Sequence, residues 1–230
     1  MRNEQRCIRG TEYGTLRSMK TDWAILRIRS NWRRKIVLSF VLSVGIWTAY
    51  LVLQRHPVFH VTVMKAARLD QLVPFVPNAV YLYESIWLLM PVAPWLMKSR
   101  EELNRYTKGL VLVALVGFSI FFFHPSLAPR PKEPPDLNAL YGLLIRLDSE
   151  LNAFPSLHCA FAVFHGACCY AVFSEVPWHR GIRWIVWVWV AGILLSTLLT
   201  KQHVLADAAA GSVLGIAGYA LCCRAKERQI

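Results

Sequence analysis

Six apolar stretches, each about as long as a bilayer is thick, constrain this chain more than any other feature. Lys and Arg punctuate the sequence into segments at 36–54, 75–97, 109–127, 156–174, 184–200 and 204–223. A helix rising ~1.5 Å per residue needs ~20 such residues to cross the hydrocarbon core. With no water there to satisfy the backbone, each segment must form a helix. The pattern predicts an all-α polytopic membrane protein, a six-transmembrane-helix bundle. The fifth segment is the shortest and is expected to extend into its flanks. Apolar residues make up 55% of the chain and charged ones 17%; soluble domains carry about 25% charged residues. That balance excludes a disordered chain, a coiled coil and a disulfide scaffold.

The net charge of +12 suggests nucleic acid until its placement is considered. Ten basic residues lie in the first 35 positions. Lys98, Arg100, Arg105, Lys108, Arg180, Arg183, Arg224, Lys226 and Arg228 fall on the same side of the predicted membrane. Only Arg55, Lys65, Arg68, Arg130, Lys132, Arg146 and Lys201 fall on the other. Basic loops stay inside, so both termini are expected in the cytoplasm and loops one, three and five outside. No aromatic-basic module is present, so no nucleic-acid partner is expected. The charged N-terminus does not read as a signal peptide.

Three regions follow from this partition. Residues 1–35 form a basic cytoplasmic tail, 36–224 the membrane catalytic domain, and 225–230 a second cytoplasmic tail. In the first tail, Leu16, Met19, Trp23 and Leu26 recur at helical spacing. The residues leave two readings open, an interfacial helix on anionic inner-leaflet lipids or a solvated tail that sets topology. Loop three opens on Pro129, Pro131, Pro134 and Pro135, which forbid regular helix. Asp136 is then expected to cap an amphipathic helix carrying Leu137, Leu140, Tyr141, Leu144 and Leu151 on one stripe, resting on the outer surface. The six cysteines include no C-x-x-C pair; Cys159, Cys168, Cys169, Cys222 and Cys223 lie in apolar runs and read as packing residues. Neither a disulfide nor a zinc site is expected.

Ionisable groups at membrane depth are costly, which makes them functional candidates. Three clusters fall at the predicted outer face. Lys201, His203 and Asp207 form one; at four residues' spacing, His203 and Asp207 would share a helix face. A carboxylate on one ring nitrogen fixes the tautomer and leaves the other free to attack. Pro155, Ser156 and His158 form the second and read as a helix start, where free N–H groups favour an anion. His124 to Arg130 form the third, and a guanidinium suits bidentate phosphate recognition. Two histidines, an acid, a hydroxyl and two cations on one face suit a phosphoryl group. Taken singly, each cluster is equally a snorkelling Lys with a structural His–Asp pair, a helix cap, or a charge meeting headgroups.

These residues resemble the type 2 phosphatidic-acid phosphatase superfamily, which is related to vanadium haloperoxidases. Its motifs are K-x6-R-P, P-S-G-H and S-R-x5-H-x3-D. Arg130-Pro131 matches the end of the first, and Pro155-Ser156-Leu157-His158 the second with Leu for Gly. Ser196, His203 and Asp207 match the third. Phe123 and Thr197 stand where the family has Lys and Arg, and Lys201, placed on the same helical face as Thr197, is expected to supply charge. The F-P-S-L-H and T-K-Q-H-x3-D forms are similar to the branch that includes inositol-phosphorylceramide synthases. The resemblance implies His203 as nucleophile forming a phosphohistidine, Asp207 orienting it, and His158 as acid and base. It implies Arg130, Lys201 and Ser156 as phosphate ligands, supported by Ser196 and Thr197, with no metal and no cofactor. It implies a vanadate-sensitive hydrolase acting on a lipid phosphate or diphosphate at the outer face. The alternatives are headgroup transfer between lipids and a non-catalytic lipid-phosphate binder. A metal site built from the same histidines is disfavoured because Arg130 and Lys201 would repel a cation. Compact size and the lack of N-x-S/T sequons point to a bacterial plasma membrane with the site facing the periplasm or exterior. His165 is read as a packing or bundle hydrogen-bonding residue and the Trp-rich run 184–190 as lipid-facing and core surface. His56 and His60 carry no motif, and Glu84 has no evident partner.

Overall fold

The computed structural model describes residues 22–130, 138–175 and 180–224. Helix α1 covers 22–29. It is followed by α2 (Trp32–Arg55), α3 (Arg68–Leu72), α4 (Val80–Glu84), α5 (Ile86–Leu96), α6 (Arg100–Phe123), α7 (Ala139–Leu147), α8 (Leu157–Ser174), α9 (Arg180–Leu199) and α10 (Leu205–Cys222). Among the described residues, six helical units are long and apolar enough to cross a membrane: α2, Pro77–Leu96, α6, α8, α9 and α10.

Boundaries depart from the charge-based expectation where local chemistry overrides it. The third span begins at Arg100, because Ser99 caps it by accepting from the Glu102 N–H at 3.1 Å. Charged residues are good helix formers, so the first turns of α6 are helical although they carry Arg100, Arg105 and Lys108. The same helix stops at Phe123 and not 127, just before His124-Pro125. The second span is interrupted at Ser85, whose hydroxyl bonds back to the Leu82 carbonyl and accepts from the Trp189 indole. Glu84 does have a partner, the Trp87 indole N–H at 2.8 Å.

Helix α8 is the axis of the bundle. Its sequence is mostly apolar or small, and it is buried along most of its length. Helices α10, α9, α5 and α6 pack around it. Helix α10 approaches most closely through glycines. A Cβ at Gly211 would strike the Ser156 carbonyl, and one at Gly215 the Ala160 carbonyl. Helix α2 is the opposite case: nothing in its central apolar window is buried, and its main helix contacts are with α5 and α6. Val37, Phe40 and Val41 face outward.

The two ends of the bundle differ. One end gathers the loops at 56–76, 124–130, 148–156 and 200–204. Two-residue strands, β1 (Thr62–Val63) and β2 (Ser126–Leu127), pair in parallel there, and Leu127 bridges Leu151. The Ser126 hydroxyl accepts from the Phe154 N–H at 2.8 Å, so three loops are stitched together. Helix α7 starts at Ala139, capped by Asn138, which accepts from the Tyr141 N–H at 2.7 Å. Leu151 lies beyond its end; Asp136 and Leu137 lie outside the described residues. Tyr141 and Leu144 face inward, as the stripe requires, while Leu143 and Leu147 are exposed.

At the other end, residues expected in a free tail are part of the bundle. The Arg27 guanidinium donates to the Leu96 carbonyl at 2.7 Å and to Glu175 at 2.5 Å. Lys35 is fully buried and donates to the Arg27 and Trp95 carbonyls at 2.6 and 2.9 Å. Buried cations need such partners, and the free carbonyls ending α5 provide them. Of the proposed interfacial stripe, Trp23 packs on the core and Leu26 is exposed. Leu16 and Met19, like the rest of 1–21 and the tail 225–230, lie outside the described residues.

Candidate active site

The site is built where α8 and α10 begin side by side. Ser156 caps α8 by accepting from the Cys159 N–H at 3.2 Å, and its own N–H donates to the Asp207 carbonyl at 3.1 Å. That second bond, with Gly211 one turn below, sets the start of α8 against the start of α10. Asp207 is fully buried and accepts from the Val204 N–H at 3.1 Å, closing the first turn of α10.

His203 is not on α10 with Asp207. It lies in the loop 200–204, whose turn is held by the Thr197 carbonyl accepting from the Gln202 and His203 N–H groups at 3.1 and 3.2 Å. The loop nevertheless returns the ring to the acid: Nδ1 is 3.5 Å from Asp207 Oδ2. This is ion-pair contact just short of hydrogen-bond geometry, and Nδ1 and Asp207 Oδ1 have no other partner among the described residues. The carboxylate therefore favours the proton on Nδ1 and leaves Nε2 with its lone pair.

His158 sits in the first turn of α8. Its Nε2 is 2.9 Å from the Tyr83 carbonyl, and its ring stacks on the Tyr83 ring with centroids 3.8 Å apart. A carbonyl only accepts, so Nε2 carries the proton and Nδ1 is the atom free to exchange one. The two histidines are thus anchored through opposite ring nitrogens.

Arg130 is held by backbone. Nη1 donates to the Asp148 carbonyl at 3.1 Å and Nη2 to the Ser149 carbonyl at 3.0 Å. Asp148 Oδ2 lies 3.7 Å from Nη2, and Nε has no partner among the described residues. Two of five N–H donors are therefore engaged by backbone carbonyls.

These residues meet at a cavity of about 580 Å³ lined by His158, His203, Arg130 and Asp148 at one end. Its remaining wall is mainly apolar and runs down between α2, α5 and α6, past Trp47, Ile46, Leu42 and Leu103. A second cavity of about 220 Å³ shares Arg130 and His203 but is lined on its far side by Asp70, Gln71 and Lys201.

Lys201 is not on the helical face of Thr197. Helix α9 ends at Leu199, Lys201 is left-handed at φ 55°, and its Nζ donates to the Asp70 and Val73 carbonyls at 2.9 and 2.5 Å. It clamps the α3 loop and lines only the smaller cavity. Ser156 lines neither cavity, and its oxygen serves the α8 cap. Ser196 and Thr197 are buried and bond back to the Ile193 and Leu194 carbonyls of α9. His165 bonds within the bundle: Nδ1 donates to the Phe161 carbonyl at 2.6 Å, so Nε2 accepts from the Tyr106 hydroxyl at 2.9 Å. Sequence reasoning missed Tyr83 and Asp148. Tyr83 acts through a carbonyl and a ring face, and Asp148 lies in a loop without a motif; neither leaves a local signal.

No curated protein and no solved structure matches the chain significantly. The family model described as the PAP2 superfamily does match, over residues 50–221, from the last turns of α2 to the end of α10. That span includes every residue of the His203–Asp207–His158–Arg130 cluster, and the chain, an integral membrane protein with six apolar helices, belongs to the PAP2 superfamily.

Proposed function

We propose that this protein is a lipid phosphatase that hydrolyses a lipid phosphate or diphosphate through a phosphohistidine on His203. The carrying observation is the pair of oppositely anchored histidines beside Arg130 at the polar end of an apolar cavity. A lipid lays its hydrocarbon chain along α2 and brings its phosphate to His203. The His203 Nε2 lone pair attacks phosphorus as the bond to the leaving oxygen breaks. His158, entering the cycle as the imidazolium with its Nε2–H on the Tyr83 carbonyl, delivers its Nδ1 proton to that oxygen. In the second half, Nδ1 takes a proton from water, the water oxygen attacks phosphorus, the N–P bond breaks, and His203 is restored. Asp207 stabilises the charge that grows on the His203 ring, and Arg130 holds the equatorial oxygens. Lys201 contributes charge from the far cavity, and Ser156 acts by fixing the α8 N-terminus.

The charge distribution supports cytoplasmic termini and a site opening at the outer face, within the catalytic region 36–224, and compact size without N-x-S/T sequons supports a bacterial plasma membrane. Basic residues of the first 21 positions would meet anionic inner-leaflet lipids; Arg27 and Lys35 are committed to the bundle. A second reading is headgroup transfer to an acceptor alcohol. The smaller cavity favours it, because it offers polar space on the other side of Arg130 and His203.

The deciding experiment is phosphate release from a panel of lipid phosphates in detergent with excess chelator, with His203→Ala beside the wild type. Release that vanishes in the variant, and is inhibited by vanadate, supports the reading. Wild-type turnover in His203→Ala would sink the mechanism. No release from any lipid, but product on adding acceptor alcohols, would establish transfer.

A further inference from the structure

Arg130 is the cation that lines both cavities, and Asp148 is the acid beside it. The two are not fully paired. Asp148 Oδ2 stands 3.7 Å from Nη2, too far for a hydrogen bond. Its other oxygen explains why. Oδ1 accepts from the Tyr50 hydroxyl at 2.5 Å and from Gln54 Nε2 at 2.7 Å, and Gln54 also bonds the Tyr50 hydroxyl at 3.1 Å. Both donors sit one turn apart near the end of α2, the most loosely packed span.

We infer that Tyr50 and Gln54 are positioning residues that hold the Asp148 carboxylate off Arg130, so that the placement of α2 sets how tightly the site grips a phosphate. The inference rests on the phosphatase reading of the Arg130 site. A carboxylate and a phosphate compete for the same guanidinium donors. With α2 in place, Asp148 spends Oδ1 on two neutral donors and leaves to substrate the Arg130 Nη hydrogens that the backbone does not hold. With α2 displaced, nothing neutral remains on Oδ1, and the carboxylate closes on Nη2. The orientation of Arg130 survives either way, because the carbonyls of Asp148 and Ser149 hold it. The same helix walls the apolar cavity through Leu42, Ile46 and Trp47. A chain lying along α2 and the phosphate at Arg130 are therefore sensed by one element.

Tyr50→Phe removes one of the two donors that restrain Asp148, lets the carboxylate shift toward Arg130 and weakens anion binding. Asp148→Asn removes the competing charge while keeping the backbone carbonyl, so anion binding holds or tightens. In the double variant the loss caused by Tyr50→Phe should disappear, because there is no carboxylate left to restrain. A merely structural Tyr50 would show no such rescue.

The test is vanadate affinity by calorimetric titration of the full chain in detergent, for the wild type, Tyr50→Phe, Asp148→Asn and the double variant. The expected result is about tenfold weaker binding for Tyr50→Phe and at least wild-type affinity for the other two variants. Unchanged affinity in Tyr50→Phe, or a double variant as weak as Tyr50→Phe alone, overturns the inference. If Asp148→Asn does not fold, Gln54→Leu decides: it must weaken binding in the same direction as Tyr50→Phe, and wild-type affinity overturns the inference. A wild type that binds no vanadate removes the phosphate site itself, and the inference with it.

Discussion

Gly211→Ala should cost this protein far more activity than stability. Gly211 lies four residues after Asp207, on the same face of α10, against the start of α8. The added Cβ would meet the Ser156 carbonyl oxygen and, at 3.2 Å, the Cys159 Cβ. Backbone cannot rotate aside, so the helices must part by on the order of 1 Å, and overpacking of this kind costs ~1–3 kcal/mol. The better helix propensity of Ala returns up to about 1 kcal/mol, leaving a net loss of ~0–2 kcal/mol. The displacement falls at the Ser156 N–H to Asp207 carbonyl bond, which sets His158 relative to the His203–Asp207 pair. A misplacement of ~1 Å can cost about 100-fold in rate. Gly45→Ala is the control, because nothing lies within 4 Å of a Cβ there. The assay is phosphate release from a lipid phosphate beside a thermal melt in the same detergent. Gly211→Ala that turns over like the wild type, in protein melting at or above the wild-type temperature, would refute the claim that this seam aligns the catalytic groups.

Asp207→Asn should lower turnover by about 10³- to 10⁴-fold, since an amide cannot fix the His203 tautomer or balance its charge; a loss below tenfold in single-turnover assays would count against that role. Ile46→Trp fills the cavity along α2 and should reduce the ratio of long-chain to short-chain kcat/KM by about tenfold. An unchanged ratio would mean that the chain lies elsewhere. Arg27→Ala removes a buried guanidinium from the Leu96 carbonyl and from the partly exposed Glu175 carboxylate. It should destabilise the fold by about 2 kcal/mol, read as a lower melting temperature; an unchanged melt would return residues 22–35 to the status of a free tail.

Much of the fold and part of the site are legible in the order of residues. Spans are local: an apolar run either covers the hydrocarbon core or does not. Their ends were less legible, because capping by Ser99 and the break before His124-Pro125 act at single residues. The motif residues His158, His203 and Arg130 line one cavity, with Asp207 buried behind the His203 ring, and the motifs name all four without further help. The helical spacing that motivated His203 and Asp207 is not how they meet, since a turn held by the Thr197 carbonyl places the ring instead. Lys201 was drawn toward the phosphate by spacing alone. Its left-handed backbone turns it to the α3 loop, whose carbonyls lie about 130 residues away in sequence.

By itself, the sequence determines that this chain lies in a membrane as six helices, and its motifs name residues that come together at one end. Those properties depend on side-chain type and on distance along the chain. Only the tertiary structure decides that Ser156 serves the helix start, that Asp148 stands between α2 and Arg130, and that Arg27 and Lys35 are buried in the bundle. Each of those is a partnership between segments far apart in sequence. A buried polar group takes whichever donor or acceptor the packing delivers, and no local pattern encodes which one that is.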